Sequence, residues 1–376
     1  MNRGGPGYPG GMRLAVLDIG SNSAQLQVVD AQPGAPPLPI HGLRVPVRLS
    51  EDMDGTGSIG ERGIGRVVAA VAAAVEVALQ QNVEQWYPFV TAAIRDAANR
   101  DVVLRRIEDE TGVQPQYLSG EQEGRLTYVA VRRWYGWSAG RLLDIDIGGG
   151  SMEIAYGRDA EPDVVISMSL GAGRLTREFF TADPPPACEV KELHRHVRTA
   201  VREAADRLRW EGEPRRVIGS SKTFKQLARL AGAAPQREGP FVHRNVTAKQ
   251  ITRWIPRLAA LTGAQRAALP GVSRPRAAQI LAGAVVAAET MRALQIDALE
   301  VSPWALREGV MLEHLARVTD PATSLPAFPL RPRAAAPGND TAAPGSVVYQ
   351  LDRRTGSPGA ASSPVGAGAA PDRGRR

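Results

Sequence analysis

The sequence predicts an α/β protein made of two similar domains that face a central cleft, followed by a disordered C-terminal tail. Strands and helices alternate along most of the chain, and 376 residues are enough for two domains of ordinary size. A motif of the form D-I-G-x-x-S-x-x-apolar occurs twice, each time after an apolar strand. Its matching positions are Asp18, Ile19, Gly20, Ser23 and Leu26 in the first copy and Asp146, Ile147, Gly148, Ser151 and Ile154 in the second.

The first half of the chain begins with an expected flexible leader (1–12) and continues as a domain that we place at 13–138. The stretch RLAVLDIGSNSAQLQVVD is typical of a strand, a turn and a second strand, and a third strand ends near Val47. Apolar residues at helical spacing in IGRVVAAVAAAVEVAL predict a helix. YPFVTAA predicts a strand, and a helix follows between Asn99 and Gly112. The short strand VQPQYLSG then opens into the helix EQEGRLTYVAVRRWYG.

The second half repeats this pattern in a domain that we place at 139–317. RLLDIDI, MEIAYG and VVISMSL predict three strands, and a long helix follows from Glu189 to Trp210. RRVIGS then predicts a strand and SKTFKQLARLAG a helix. A helix that starts near Pro275, the strand ALEVS and the helix ALREGVMLEHLAR complete the folded part. We expect the two domains to close on a substrate about a hinge near Gly136 to Arg141.

The tail, which we place at 318–376, is rich in Ala, Pro, Gly and Ser, a composition that favours disorder. It carries seven arginines and four aspartates, so it supplies +3 of the net charge of +7 and leaves +4 for the body. Such a tail can hold nucleic acid or other polyanions, but a solvated tail is the simpler interpretation. We therefore expect no specific nucleic-acid partner, whereas the positive body suits an anionic substrate.

Three features favour a cytoplasmic protein. The single cysteine, Cys188, excludes an internal disulfide and is interpreted as a bystander in a reducing compartment. No run of about 18 apolar residues is free of charge, so we expect no membrane span. The N-terminus also lacks the apolar core of a signal peptide, and Met12 is an alternative start.

The twin motif places a phosphate-binding turn in each domain. Gly148, Gly149 and Gly150 tolerate a tight turn and allow a ligand to approach the backbone, whose N–H groups can form an anion nest. Asp18 and Asp146 stand beside the two turns and would repel phosphate unless a cation lay between them. Mg²⁺ fits, because it commonly binds one or two carboxylates and keeps several waters. The alternative is two ordinary hairpin turns.

Other motifs are weaker. GTGSIG (55–60) has the G-x-G-x-x-G spacing, but polar SEDMD precedes it where a Rossmann strand should be, so we interpret it as a loop. GSSKTFK lacks the spacing of a P-loop. His194 and His196 lie two apart on a helix, do not share a face and are not expected to bind zinc.

SGEQEGRL predicts the start of a helix. Ser119 and Gln122 have the spacing of a capping box, and Glu121 and Glu123 in the first turn suit the helix dipole. This interpretation is sufficient by itself. Because the two glutamates are ~200° apart around the helix, however, one of them could face the cleft as a general base.

Arg95, in TAAIRDA, follows the end of a predicted strand. Its guanidinium could hold phosphate with a fork of donors. The alternative is an ion pair with Asp96 or with a helix residue.

The sequence resembles the exopolyphosphatase / guanosine pentaphosphate phosphatase family in six stretches, which occur in this order: DIGSNSAQLQVV, TAAIRDA, SGEQEGRLTY, DIGGGSMEIAYG, GSSKTFK and WALREGVM. The resemblance runs from about Leu14 to about Arg317 and is greatest to the short actinobacterial exopolyphosphatases. It implies the fold of the actin / hexokinase / Hsp70-like superfamily, which has two duplicated ribonuclease H-like domains. It also leads us to expect a homodimer.

The resemblance implies roles for individual residues. Glu123 stands at the glutamate that acts as general base, and Arg95 at a phosphate-binding arginine. Asp18 and Asp146 match aspartates that position metal and water, and Glu153 matches a further acidic position, so these three are the expected Mg²⁺ ligands. The expected substrate contacts, besides Arg95, are Asn22, Ser23, Gly148, Gly149, Gly150, Ser151 and Lys225.

The sequence departs from the family at several points. Gln122 stands where relatives usually carry an acid, Gly124 replaces an alanine and Lys222 replaces a glycine, which adds charge near the expected cleft. The longer members carry further C-terminal helical domains, whereas only the low-complexity tail follows here. We therefore expect a weak grip on long polyphosphate chains.

The expected function is Mg²⁺-dependent hydrolysis of the terminal phosphoanhydride of polyphosphate, with release of orthophosphate. Removal of the 5′-terminal phosphate of guanosine pentaphosphate is the nearest alternative, although it would need a purine slot that the sequence does not reveal. A non-catalytic polyphosphate or nucleotide sensor and a kinase of the same superfamily are further alternatives.

Overall fold

The computed structural model describes residues 12–31, 36–319, 328–332 and 349–351. The first lobe is built on a mixed sheet whose first five strands are β1 (Met12–Ile19), β2 (Ser23–Ala31), β3 (His41–Pro46), β4 (Gln85–Val90) and β5 (Gln116–Tyr117). Their order across the sheet is β3-β2-β1-β4-β5. The first three strands are antiparallel neighbours, while β4 runs parallel to β1 and β5 parallel to β4.

The second lobe repeats this arrangement. Its strands are β6 (Leu142–Ile147), β7 (Met152–Gly157), β8 (Val164–Met168), β9 (Arg216–Gly219), β10 (Asn245–Thr247) and β11 (Ala298–Val301). The order is β8-β7-β6-β9-β11, with the same strand directions as in the first sheet, and β10 is added antiparallel to β11. The shared topology confirms the duplication predicted from the twin motif.

Helices cover the two sheets. They are α1 (Glu61–Gln80), α2 (Ala92–Arg95), α3 (Arg100–Thr111), α4 (Gly120–Tyr135), α5 (Ala172–Phe179), α6 (Ala187–Leu208), α7 (Lys222–Leu230), α8 (Ala248–Ala259), α9 (Gly263–Ala267), α10 (Ile280–Ala293) and α11 (Leu306–Thr319). Apolar α10 is buried almost throughout and packs between α6 and α8, so it forms the centre of the second core.

Helix α1 is long and apolar enough to cross a membrane by length and composition alone. Half of its apolar window is buried, however, and its apolar face recurs with helical spacing at Ile64, Val67, Val71 and Val75. These side chains belong to the core of the first lobe. We therefore interpret α1 as a core helix.

Helices α4 and α11 interlock the two lobes. The predicted domain boundary assigns α4 to the first lobe, yet α4 packs against β6, β7 and β8 of the second sheet. Conversely, α11 comes from the second half of the chain and buries Val310 and Met311 against Leu14 and Val16 of β1. The division at 138/139 stays a prediction.

The C-terminal segment differs from expectation at two places. The sequence predicts disorder throughout 318–376, but β12 (Phe328–Pro332) pairs antiparallel with β4, and β13 (Tyr349–Leu351) pairs with β12. Short β5 covers only Phe89 and Val90 of β4, which leaves the first half of β4 as an open edge that accepts a strand. Most of the predicted tail, like leader residues 1–11, lies outside the described residues.

Candidate active site

The two copies of the motif form two turns of the same construction. In each lobe, the aspartate is the second-to-last residue of the first strand. It pairs across the hairpin with the residue seven positions later in the chain, so Asp18 is opposite Gln25 and Asp146 is opposite Glu153. The N–H of Gly20 donates to the carbonyl of Ser23 at 3.2 Å, and the N–H of Gly148 donates to that of Ser151 at 2.9 Å. Both turns therefore present their tips to the same cleft.

The carbonyl groups of the second turn are occupied by neighbouring chain. The carbonyls of Gly148 and Gly149 accept from the first N–H groups of α5, at 3.0 and 2.9 Å. In contrast, the N–H groups of Gly149 and Gly150 donate no hydrogen bond within the described part of the chain. These free donors are compatible with the predicted anion nest, which stays a prediction.

Close approach of the two turns explains the need for glycine. A Cβ at Gly149 would overlap the side chain of Ser21, and one at Gly150 would lie 2.7 Å from the Cβ of Ala92. The amide of Gln279 also donates to Oδ1 of Asn22 at 2.9 Å and so bridges the lobes. The turn of the second lobe thus lies against the turn of the first lobe and against the start of α2.

The cleft has a volume of about 310 Å³ and charged walls. Its carboxylates are Asp18, Glu123, Asp146 and Glu153, and its cations are Arg44, Lys222, Lys225, Arg276 and Arg307. The other predicted substrate contacts that line it are Asn22, Ser23, Gly148, Gly149, Gly150 and Ser151. The structure therefore brings together every predicted site residue except Arg95.

Glu123 projects into the cleft from the first turn of α4. The predicted capping box is present: Ser119 accepts from the N–H of Gln122, whose side chain accepts from the N–H of Ser119. Glu123 is 8% exposed, whereas Glu121 is fully on the outer face. Burial, and then the negative charge of Glu153, raise the pKa of Glu123 well above its usual value, although Arg95 opposes the shift.

Arg95 lies behind Glu123 and does not line the cleft. Its Nη1 is 2.5 Å from Oε1 of Glu123 and donates to the carbonyl of Leu118 at 2.9 Å, while its Nε donates to Asp96 at 2.8 Å. Both ion pairs that the sequence left open as alternatives are therefore formed. The geometry favours a role in orienting Glu123 over direct contact with phosphate.

The acidic residues of the cleft are buried close to one another, and burial raises their pKa values despite the cations nearby. Burial raises the pKa of Asp18 to about 6 and that of Glu153 to about 8. Asp144, which the sequence analysis did not single out, lies just below Asp146, and its pKa is raised by burial and by the charge of Asp146. The hydroxyl of Ser220 lies 3.0 and 3.2 Å from a carboxylate oxygen of Asp144 and of Asp146, and it can donate its one hydrogen to either. Such a cluster is stabilised by a bound cation.

The donor set fits Mg²⁺ with a partial protein shell. Among the described residues, no group of three His, Cys, Asp or Glu side chains is arranged to hold one ion directly. Mg²⁺ needs only one or two carboxylates, since water and phosphate oxygens complete its octahedron. Asp18 and Asp146 line the cleft and supply carboxylate oxygens, and a bound cation would oppose the burial that raises their pKa values. Oε1 of Glu153, the third predicted ligand, accepts from the hydroxyl of Ser167 at 2.9 Å, and the role of Glu153 as a ligand stays a prediction.

The sequence analysis missed three arginines of the cleft. Arg44 lies on β3, Arg276 lies in the short helical turn Arg274–Arg276, and Arg307 lies on α11. Nε of Arg276 is buried without a hydrogen-bond partner in the described residues, and burial lowers its pKa to about 10. Lys225, which was predicted, donates to the carbonyl of Pro303 at 2.9 Å, and burial lowers its pKa to about 8. No local motif marks the three arginines, because separate elements bring them together.

The two lobes have the same topology, and each places a glycine turn at a cleft lined by buried carboxylates and cations. These features define a two-lobed phosphate-binding α/β protein of the duplicated ribonuclease H-like kind. Solved structures share this fold. An exopolyphosphatase of Cytophaga hutchinsonii matches with a TM-score of 0.73 at 23% identity, over 81% of this chain and 98% of its own. The Ppx/GppA family member of Aquifex aeolicus matches with a TM-score of 0.66 at 28% identity, over 84% of this chain and 100% of its own.

The chain belongs to the Ppx/GppA phosphatase family, which matches residues 27–318. Exopolyphosphatase 1 of Mycobacterium tuberculosis is 46% identical over 309 residues, which cover 82% of this chain and 90% of that protein. Its counterpart in Mycobacterium leprae is 43% identical over the same length. These findings confirm the family resemblance carried by the six stretches.

Proposed function

We propose that this protein is an exopolyphosphatase that hydrolyses the terminal phosphoanhydride of inorganic polyphosphate. Water attacks the terminal phosphorus, the bond to the bridging oxygen breaks, and orthophosphate leaves together with a chain one unit shorter. Glu123 accepts the proton of the attacking water. The observation that carries this proposal is the burial of Glu123 in a cleft between two phosphate-binding turns.

The residues of the cleft have different roles in the proposed reaction. The raised pKa makes Glu123 a stronger base than a solvent-exposed glutamate. The free N–H groups of Gly149 and Gly150 and the guanidinium of Arg276 hold the oxygens of the terminal phosphoryl group. Phosphoryl transfer needs mainly such positioning and charge neutralisation. Mg²⁺, held by Asp18 and Asp146, would supply further neutralisation when bound.

The lining of the cleft favours inorganic polyphosphate over guanosine pentaphosphate. A purine is usually recognised by stacking on an aromatic or apolar surface. No aromatic side chain is among the described residues that line this cleft, whereas five cations are. Hydrolysis of guanosine pentaphosphate is therefore the second candidate, supported by its place within the family. A non-catalytic sensor has less support, since a buried base would serve it no purpose.

Orthophosphate release from three substrates tests the proposal. The purified protein is incubated with Mg²⁺ and, separately, with short polyphosphate, long polyphosphate or guanosine pentaphosphate. We expect the highest kcat/KM with short polyphosphate. Preference for the nucleotide would move the function to its second candidate. Binding without release from any substrate would leave the sensor.

The proposal also includes a cytoplasmic location and a homodimer. The first follows from the single exposed thiol of Cys188, which suits a reducing compartment. Sedimentation of the purified protein at micromolar concentration tests the second, and a monomeric mass would overturn it.

A further inference from the structure

A line of ion pairs joins Glu123 to the phosphate-binding turn of the second lobe. Arg95 lies 2.5 Å from Glu123 and 2.8 Å from Oδ1 of Asp96. The other carboxylate oxygen of Asp96 is 2.9 Å from Nη2 of Arg174. Nε of Arg174 donates in turn to the carbonyl of Gly150 at 3.0 Å. Four side chains of alternating charge, of which Glu123 is the first, therefore link the general base of the proposed function to this turn.

The line crosses from one lobe to the other. Arg174 lies in the first turn of α5, whose N–H groups also hold the carbonyls of Gly148 and Gly149. Asp96 follows directly after α2, the single helical turn that ends at Arg95 in the first lobe. A movement of one lobe against the other would therefore strain the pair between Arg174 and Asp96.

Asp96 fixes the direction in which Arg95 points. One oxygen of Asp96 accepts from Nε of Arg95 and the other from Arg174, so the carboxylate is held at both ends. The Nη1 of Arg95 is shared between Glu123 and the carbonyl of Leu118. Side-chain exposure is 33% at Asp96 but only 14% at Arg95 and 10% at Glu123. Partly exposed ion pairs add little stability. The pair between Asp96 and Arg95 instead orients Arg95, whose side chain is largely buried.

We propose that Asp96 and Arg174 are positioning residues, which hold Arg95 against Glu123 when the two lobes are closed on the terminal phosphate. The proposal rests on the proposed function and extends it. Arg174 binds the turn that contacts phosphate. When this turn reaches its phosphate-binding position, Arg174 therefore also holds Asp96, and through Arg95 it orients Glu123. Substrate in the cleft thus completes the catalytic arrangement.

The split between kcat and KM tests the proposal. Asp96→Ala should lower kcat about 10- to 100-fold, the effect of a base displaced by about 1 Å, with KM changed less than about threefold. Arg174→Ala should lower kcat and also raise KM, because it loses the contact with Gly150. The matched control is Glu161→Ala, which removes an exposed ion pair to Arg125 on α4 but touches nothing in the cleft. Its kcat and KM should stay near wild type.

A double-mutant cycle distinguishes positioning from a merely structural role. In the Glu123→Gln background, Asp96→Ala should change kcat less than about twofold, because its target is gone. Equal losses of kcat in both backgrounds, or a wild-type kcat in Asp96→Ala, would overturn the positioning role. Absence of phosphate release by the wild-type protein would instead overturn the proposed function, and this role with it.

Discussion

Arg276 and Arg274 lie two residues apart in one short helical turn and have different surroundings. Nε of Arg276 is buried in the cleft wall without a hydrogen-bond partner in the described part of the chain, while Arg274 points to solvent. Arg276 also lies near the charges of Asp18 and Asp146. Because Arg276 lines the cleft, we expect its guanidinium to bind a phosphate oxygen.

Replacement of Arg276 should weaken substrate binding. A hydrogen bond between charged groups contributes about 1.5–3 kcal/mol, so Arg276→Ala should raise KM for short polyphosphate roughly 10- to 100-fold. Steady-state phosphate release measures this effect, and Arg274→Ala is the matched control. Equal KM values for the two variants would remove Arg276 from the substrate site.

The sequence predicted site residues where a local pattern marks them. The twin turns mark Asp18 and Asp146, and helical geometry leaves one of Glu121 and Glu123 facing the cleft. Arg95 was recognised as important, yet its side chain turns to Glu123, because Leu118 and Asp96 hold it there. Cations such as Arg44 and Arg276 carry no local signature, since only the tertiary fold brings their elements to one cleft.

At the scale of elements, the crossing of α4 and α11 is unusually close. A Cβ added at Gly309 would overlap the carbonyl oxygen of Leu126 on α4, which is backbone and cannot rotate away. The duplicated two-domain fold was implied by the family resemblance, but this crossing was not. Helical periodicity shows which face of a helix is apolar, whereas the distance of approach depends on the partner.

Gly309→Ala should therefore destabilise the protein by about 1–3 kcal/mol or more, because the helices must move apart. Gly65→Ala is the control, since Gly65 is also helical but has nothing within 4 Å of an added Cβ. That variant should gain about 0.5–1 kcal/mol from its lower unfolded-state entropy. Urea unfolding measures both changes. A stable Gly309→Ala variant would mean that the helices do not cross closely there.

At the scale of the molecule, the cluster of buried carboxylates links stability to pH. The folded-state pKa of Asp18 is raised from 3.8 to about 6 and that of Glu153 from 4.5 to about 8. Their contribution to stability is therefore fully present below about pH 4 and is lost as pH rises through 6 and 8. Burial lowers the pKa of Lys225 from 10.5 to about 8, so the effect of Lys225 on the free energy of unfolding changes mainly above pH 8.

Without metal, the free energy of unfolding should fall between pH 5.5 and pH 8. Mg²⁺ should restore most of the loss at pH 8 and have little effect at pH 5.5, because its ligands must be ionised. Urea unfolding in chelator and in Mg²⁺, at both pH values, measures the difference. Equal stabilisation by Mg²⁺ at both pH values would contradict a site built from Asp18 and Asp146.

The duplication of the whole molecule was predictable from one short motif, because the same turn needs the same residues in each lobe. The interlocking of the lobes through α4 and α11 was not, since each helix is continuous in sequence with one lobe but packs against the other. The pairing of β12 with β4 was also missed, because low-complexity composition gave no sign of a strand.

The most direct test of the account is the turnover of Glu123→Gln beside that of Glu121→Gln, measured with saturating short polyphosphate and Mg²⁺. Both changes lie in the first turn of α4, but only Glu123 faces the cleft. The account predicts that Glu123→Gln lowers kcat ~10²–10⁴-fold, the usual contribution of a positioned base, while Glu121→Gln stays near wild type. Near-normal turnover by Glu123→Gln would contradict the assignment of Glu123 as the general base.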